Sequence, residues 1–219
     1  MTRMRPGLKQ YPVETRYGRV FCDVGESVCY PLMKYGEYPH WRDEEEEYAA
    51  LPLSANSVVL DVGANIGVTV RMFAQRAGHV HAFEPAPRAV ALLTANTRDL
   101  PNVTVYPVAL ADKAGTMMFN ERVELDSSRL SPGEGGVGVQ VSSVDEMNLK
   151  PDLIKIDVEG FEHLVLKGAT KTLREGPIVI FEALSEIARE YCEEIILRAN
   201  HSYKVRQMGS GSNYLAMIV

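Results

Sequence analysis

One stretch of the chain, VVLDVGANIGVTV at residues 58–70, constrains the fold more than any other. A run of apolar residues leads into Asp61, a short loop with Gly63 and Gly67 follows, and an apolar segment compatible with a helix comes next. This order predicts a buried strand, a tight turn and a helix N-terminus. Gly63 is predicted to let the backbone approach a ligand, beside the unpaired N–H groups of the helix.

An acidic residue, Glu84, ends a second strand-like run, HVHAFE, 23 residues after Asp61. A carboxylate about 20 residues beyond such a turn is placed to bind the hydroxyls of a ribose. The loop GANIG matches neither G-x-G-x-x-G nor a P-loop, so a pyrophosphate ligand is not favoured. A cofactor with a ribose and no phosphates, S-adenosylmethionine (SAM), is therefore predicted. A glycine turn that binds nothing is the alternative.

From Asn56 onward, strand-like and helix-like segments alternate, which predicts an α/β protein with a parallel sheet and helices on both faces. The last two strand-like segments, joined by GSGS, predict a terminal β-hairpin. An insertion rich in Gly and Pro at about 115–146 interrupts the alternation and predicts a small hairpin. We expect an N-terminal extension over residues 1–55 and a cofactor-binding domain over residues 56–219.

Four segments of the N-terminal extension have recognisable patterns. Two of them, RYGRVFCDV and SVCYPLMKYG, predict short strands, and RDEEEEYAAL predicts an acidic helix whose glutamates face solvent. The aromatic segment YGEYPHW at residues 35–41 is predicted to be either a flap over a pocket or a packed linker. As a flap, it would bring Tyr38, His40 and Trp41 to a substrate.

Composition narrows the class of protein. The net charge of −6 argues against a nucleic-acid partner, whose phosphates need a basic surface. No apolar run reaches the ~18 residues of a membrane span, and the N-terminus lacks the apolar core of a signal peptide. The three cysteines lack metal-binding spacing and are expected to be free thiols. We therefore expect a cytoplasmic protein with neither a nucleic acid nor a membrane as partner.

Three blocks of the sequence resemble the FkbM-type family of SAM-dependent methyltransferases: VLDVGANIG with FEPAP, VALADKAG, and LIKIDVEGFEHLVLKGA with IVIFEA. They span residues 58–183. The resemblance implies a Rossmann-like, seven-stranded, mostly parallel sheet with an antiparallel C-terminal hairpin. It also implies O-methylation of a hydroxyl on a sugar or natural product.

The resemblance also assigns the cofactor site. Asp61, Gly63 and Asn65 would line the methionine part of SAM, and Glu84 would bind the ribose. The predicted cofactor-binding set is completed by Gly67, Ala109 and Asp157.

Acidic residues also end the fourth and fifth predicted strands or follow them closely: Asp157, Glu159 and Glu182. Because ligands bind beyond the carboxyl ends of strands in such sheets, these side chains are expected to converge near the methyl donor. They are predicted to act as general base and substrate clamp. They are also the candidate ligands of a divalent ion such as Mg²⁺, although the metal-free arrangement is favoured. His163 is a weaker catalytic candidate.

The sequence thus predicts a SAM-dependent O-methyltransferase that acts on a small hydroxylated acceptor. An NAD-dependent oxidoreductase is the first alternative, but the glycine loop after the first predicted strand, GANIG, is not G-x-G-x-x-G. A nucleic-acid amine methyltransferase is the second, but the Asn/Asp-Pro-Pro-aromatic run is absent after the fourth strand. A SAM-binding protein without turnover is the third. The acceptor, the methylated position and the oligomeric state are left open.

Overall fold

The N-terminal extension contains an antiparallel hairpin and two helices. The computed structural model describes residues 10–23, 28–38, 42–120, 129–130 and 137–218. The elements of the extension are β1 (Gln10–Thr15), β2 (Gly18–Asp23), α1 (Cys29–Tyr35) and α2 (Arg42–Ala50). The predicted acidic helix is therefore present as α2.

Helix α1 replaces a strand that the sequence pattern predicted, and that prediction was wrong. Pro31 lies in the first helical turn, where its missing N–H breaks no helical hydrogen bond. Gly36 ends the helix in the left-handed region at φ 73°, and its N–H donates to the Leu32 carbonyl at 2.8 Å. Cys29 and Leu32, one turn apart, are both buried, so the apolar positions follow the helical period.

Strands and helices alternate along the rest of the chain. The first group is β3 (Val58–Val62), α3 (Val68–Ala74), β4 (His79–Phe83), α4 (Pro87–Thr97) and β5 (Val103–Tyr106). Four strands follow: β6 (Ala109–Leu110), β7 (Gly115–Asn120), β8 (Arg129–Leu130) and β9 (Val137–Ser142). The last group is α5 (Val144–Met147), β10 (Leu153–Ile156), α6 (Glu162–Lys167), α7 (Thr170–Arg174), β11 (Ile178–Glu182), α8 (Glu186–Ala199), β12 (Tyr203–Gln207) and β13 (Asn213–Ile218).

A seven-stranded sheet in the order β12-β13-β11-β10-β3-β4-β5 forms the centre of the molecule. The strands from β11 to β5 pair in parallel, whereas β13 pairs antiparallel with both β11 and β12. This arrangement confirms the predicted fold class, including the antiparallel C-terminal hairpin. The register places Lys155 of β10 opposite Asp61 of β3.

The predicted insertion belongs to a second, four-stranded sheet in the order β6-β9-β7-β8. Strands β7 and β9 pair antiparallel, so the insertion is more than the small hairpin that the pattern indicated. The strand-like run VTVYPVAL is divided between β5 and β6. Pro107 lies at the division and has no N–H for a strand ladder.

Helices cover both faces of the central sheet, because neighbouring residues of a strand point to opposite faces. On one face, Leu60 and Ile154 pack in a buried cluster with Ile196 of α8. On the other, Val59 belongs to a cluster that includes Phe73 of α3. The sheet is therefore buried on both sides, and the ends of its strands are left to form a site.

The longest described helix, α8, has 14 residues. A membrane-spanning helix needs about 20 predominantly apolar residues. Within the described ranges, no helix combines the length and the apolar character that such a crossing requires.

Candidate active site

A cavity of about 360 Å³ lies at the carboxyl ends of β3, β4, β10 and β11. Its wall is formed by the loop after β3, by residues of α2 and the segment around α1, and by the turn that precedes β13. Ligands of open α/β sheets bind at this end of the strands, and the volume suits a small molecule. The cavity is therefore the candidate active site.

The glycine loop between β3 and α3 is packed tightly against the protein itself. Gly63 has φ 82°, and its N–H donates to the Phe83 carbonyl at 3.0 Å. A Cβ on Gly63 would lie 1.7 Å from the Asp157 carbonyl oxygen, and a Cβ on Gly67 would lie 2.7 Å from Leu93 Cδ1. Gly63 also lines the cavity, and the close approach of a ligand to it stays a prediction.

Glu84 follows β4 and is buried in the cavity wall. Its carboxylate accepts hydrogen bonds from the Asn65 N–H at 2.9 Å and from the Ala86 N–H at 2.8 Å. Burial raises the pKa of Glu84 to about 7, although these two N–H donors oppose the shift. Five further residues of the predicted cofactor set line the cavity: Gly63, Asn65, Gly67, Ala109 and Asp157.

Beneath the cavity, the buried ammonium of Lys155 lies between two carboxylates. Asp61 accepts the Thr69 hydroxyl at 2.6 Å through one oxygen, and its other oxygen lies 3.6 Å from Lys155 Nζ. The same Nζ donates to Asp157 at 3.1 Å. Burial by itself would lower the pKa of Lys155, but the charges of Asp157 and Asp61 raise it above its ordinary value. Lys155 is therefore the counter-ion of both carboxylates.

The three predicted acidic residues lie together at the ends of β10 and β11. Asp157, Glu159 and Glu182 are half-buried, and each offers a carboxylate oxygen within 4.8 Å of those of the other two. Burial and repulsion from Asp157 raise the pKa of Glu182 to about 7, and Ser212 Oγ donates to its carboxylate at 2.8 Å. Glu159 has φ 55°, a conformation that costs a non-glycine residue ~1 kcal/mol and is found most often at functional sites.

The remaining predicted residues divide between the site and other positions. Tyr38 is buried and lines the cavity. His163 of α6 lies outside the cavity lining, with its ring centroid 5.4 Å from that of Tyr191. His40 and Trp41 lie outside the described residues. Their role, and that of the flap to which they belong, stays a prediction.

Several polar residues of the cavity wall were not expected from the sequence, among them Glu44, Tyr48, Lys155, Ser212 and Asn213. A lysine inside the otherwise apolar run LIKI was a usable signal for Lys155, because a buried lysine needs a charged partner. The glutamates of α2 were predicted to face solvent, which is wrong for Glu44, with an exposure of 2%. Nothing in the helix itself indicates this burial.

Comparison with known proteins points to one class. A model of the methyltransferase FkbM domain matches residues 61–205. The chain is 29% identical over 168 residues to the hexuronic acid methyltransferase AglP of Haloferax volcanii, covering 73% of this chain and 70% of that protein. It is 28% identical over 151 residues to the 2-O-methyltransferase NoeI of Sinorhizobium fredii, covering 57% of this chain and 62% of NoeI.

Solved structures share the fold. The methyltransferase FkbM of Methylobacillus flagellatus KT aligns with a TM-score of 0.60 and 19% identity, over 77% of this chain and 45% of that one. TYW2 of M. jannaschii, solved in complex with AdoMet, aligns with a TM-score of 0.52 and 15% identity, over 97% and 85%. The chain therefore spans less than half of the FkbM structure and less than two thirds of NoeI.

The fold is the Rossmann-like fold of the solved methyltransferase FkbM structure. Since the family model matches residues 61–205 of 219, well over half of the sequence, the chain belongs to the methyltransferase FkbM domain family. The predicted family and the predicted class of enzyme are both confirmed.

Proposed function

We propose that this chain transfers the methyl group of SAM to a hydroxyl of a sugar or related natural product. The observation that carries the proposal is a single cavity with Glu84 beside the glycine loop and with Asp157, Glu159 and Glu182 at the ends of β10 and β11. One relative is named for a hexuronic acid and the other for 2-O-methylation, which supports a sugar hydroxyl as acceptor.

The glycine loop and Glu84 are proposed to hold the cofactor. Two backbone N–H groups orient the Glu84 carboxylate, whose remaining lone pairs suit the two hydroxyls of a ribose. Asp61, Gly63 and Asn65 are assigned to the methionine part by the family resemblance. When bound, SAM supplies a methyl group that its sulfonium already activates. TYW2, which has the same fold, was solved with AdoMet, in keeping with this assignment.

The acidic residues are proposed to orient the acceptor hydroxyl and to take its proton. Glu182 is the favoured base, because a pKa of about 7 suits proton transfer near neutral pH. Above that pH its carboxylate is ionised and can accept the proton, so transfer is expected to slow as the pH falls through about 7. Asp157 and Glu159 then act as the clamp on the acceptor, and His163 stays the weaker candidate.

A divalent cation is the alternative use of the same carboxylates. Their oxygens lie within 4.8 Å of one another, and oxygen ligands suit Mg²⁺. However, Lys155 already supplies a positive charge 3.1 Å from Asp157, which favours the metal-free arrangement. Methyl transfer is therefore expected to persist in EDTA, and its loss with recovery on adding Mg²⁺ would establish the metal.

We also propose a cytoplasmic location and a small-molecule acceptor. Cys22, Cys29 and Cys192 are buried and form no disulfide, as expected for a reducing compartment. The net charge of −6 supports a small molecule over a nucleic acid.

Calorimetry with SAM, S-adenosylhomocysteine and NAD tests the cofactor. Transfer of a labelled methyl group from SAM to a panel of methyl glycosides tests the reaction. We expect both SAM and S-adenosylhomocysteine to bind and at least one glycoside to be methylated. Binding of NAD alone would support the oxidoreductase alternative, and SAM binding without transfer would support a protein without turnover.

A further inference from the structure

Helix α2 is held against the turn between β12 and β13, and both lie outside residues 61–205, to which the family model extends. Ser210 Oγ donates to Asp43 at 2.7 Å, and the Gly209 N–H donates to Glu47 at 2.7 Å. These contacts join the N-terminal extension to the last hairpin of the chain. They place one side of α2 over the acidic end of the cavity, where Asp157, Glu159 and Glu182 lie.

Glu44 differs from the other acidic residues of α2 that contact this turn. It is 2% exposed and lines the cavity, whereas Asp43 and Glu47 are more exposed and lie outside the lining. Asn213 Nδ2 donates to Glu44 Oε2 at 2.8 Å. A Cβ at Gly211 would lie 2.2 Å from Glu44 Oε1, so the carboxyl group packs directly against this glycine.

The surroundings of Glu44 are unfavourable for a purely structural carboxylate. Burial raises the pKa of Glu44; the amide of Asn213 opposes this shift and the charge of Glu47 adds to it. Among the described residues of the cavity wall, Lys155 is the one cation, and it is paired with Asp61 and Asp157. The charge of Lys155 also lowers the pKa of Glu44, but no ion pair joins Glu44 to a described residue. A buried acid placed in this way marks a candidate binding site.

Glu44 and Glu182 are held by two consecutive residues at the start of β13. Ser212 Oγ donates to Glu182 at 2.8 Å, and Asn213 Nδ2 donates to Glu44 at 2.8 Å. Asn213 is also the partner of Glu182 in the β11–β13 register. Both carboxyl groups therefore border the same part of the cavity. Because ionised carboxylates only accept hydrogen bonds, this part suits a ligand with several hydroxyl donors.

We propose that Glu44 is an acceptor-binding residue that, together with Glu182, binds two hydroxyl groups of one acceptor. The chain would then select a polyol over an acceptor with a single hydroxyl. This inference rests on the proposed function and deepens it. It assigns part of the acceptor specificity to a helix outside the residues that the family model matches.

The test compares Glu44→Gln with Glu46→Gln, a matched variant at an exposed position of the same helix outside the cavity wall. The acceptor is the methyl glycoside that the wild type methylates fastest, with cyclohexanol as the acceptor with a single hydroxyl. We expect Glu44→Gln to raise the glycoside KM about tenfold or more, because a charge-assisted hydrogen bond is lost. The dissociation constant of S-adenosylhomocysteine should stay within about twofold in both variants, and Glu46→Gln should leave the glycoside KM near that of the wild type.

A second variant guards against misfolding. Asn213→Ala removes the donor that holds Glu44 and keeps the acid, so it should raise the glycoside KM by a smaller factor, with an unchanged melting temperature as control. An unchanged KM in Glu44→Gln, a KM rise equal to that of Glu46→Gln, or a tenfold loss of S-adenosylhomocysteine affinity would overturn the inference. Faster methylation of cyclohexanol than of the glycosides by the wild type would also overturn it. A wild type that methylates no glycoside contradicts the proposed function, and the inference fails with it; that failure appears before any variant is compared.

Discussion

The two ends of the cavity hold their carboxylates in different ways. At the cofactor end, Glu84 is oriented by the N–H groups of Asn65 and Ala86, which are 19 and 2 positions away in the sequence. At the acidic end, Glu182 and Glu44 are oriented by side chains 30 and 169 positions away. The cofactor end is thus built from the consecutive elements β3, α3 and β4 and the residues that follow them. The acidic end instead brings together residues from the N-terminal extension and from the last hairpin of the chain.

This difference matches what each end is proposed to bind. Backbone N–H groups depend little on residue identity, so the cofactor end can persist while the sequence changes. Side-chain donors such as Ser212 and Asn213 are replaced by single substitutions, so the acidic end can change its acceptor. The following predictions separate the two ends, in order of decreasing effect.

Glu182→Gln is expected to have the largest effect. Loss of the base should lower the single-turnover rate of methyl transfer by roughly 10²–10⁴-fold while SAM affinity is kept. Rapid-quench kinetics with labelled SAM measures the rate, and Glu186→Gln, an exposed site on α8, is the control. A rate close to that of the wild type would assign the proton transfer to another group, with His163 next in line.

Lys155→Met is expected to destabilise the protein. Removal of the ammonium leaves the carboxylates of Asp61 and Asp157 without their counter-ion, which typically costs about 3–5 kcal/mol for a buried pair. Urea unfolding gives the free energy. Lys204→Met, at an exposed position of β12, should change it by less than ~0.5 kcal/mol. A loss below ~1 kcal/mol would show that Lys155 is not the counter-ion of the buried acids.

Glu84→Ala should act on the cofactor end alone. Loss of the hydrogen bonds to a ribose is expected to weaken SAM binding by about 1–3 kcal/mol. Calorimetry measures this change, and the acceptor KM should stay near that of the wild type. Glu175→Ala, at an exposed position after α7, is the control. Unchanged SAM affinity would show that Glu84 does not bind the ribose.

The pH dependence of stability should also report on Glu84. Its pKa is raised from an ordinary value of 4.5 to about 7, so the folded state binds the proton more tightly than the unfolded state. The resulting stabilisation is complete below about pH 4.5 and is lost as the pH rises to about 7. Relative to Glu84→Gln, the wild type should lose roughly 1 kcal/mol or more over this range in urea titrations. A constant difference between the two proteins would contradict the raised pKa.

Structural features that depend on residues close together in the sequence could be predicted from it. Alternation of apolar strands and helices predicted the parallel sheet, and the position of Asp157 and Glu182 at strand ends predicted that they would meet. Features that depend on distant partners could not. The segment of α1 was predicted as a strand because its apolar residues fit either period, and packing selected the helix.

By itself, the sequence determined the order of strands and helices, the glycine loop and the acids at the strand ends, because each follows from short-range sterics and local burial. Only the tertiary structure decided that Lys155 pairs with two acids and that Glu44 is buried in the cavity wall. Burial of a charge depends on which groups surround it, and the donor that meets Glu44 lies 169 positions later in the chain. No local sequence pattern in α2 indicates the hydrogen bond between Asn213 and Glu44.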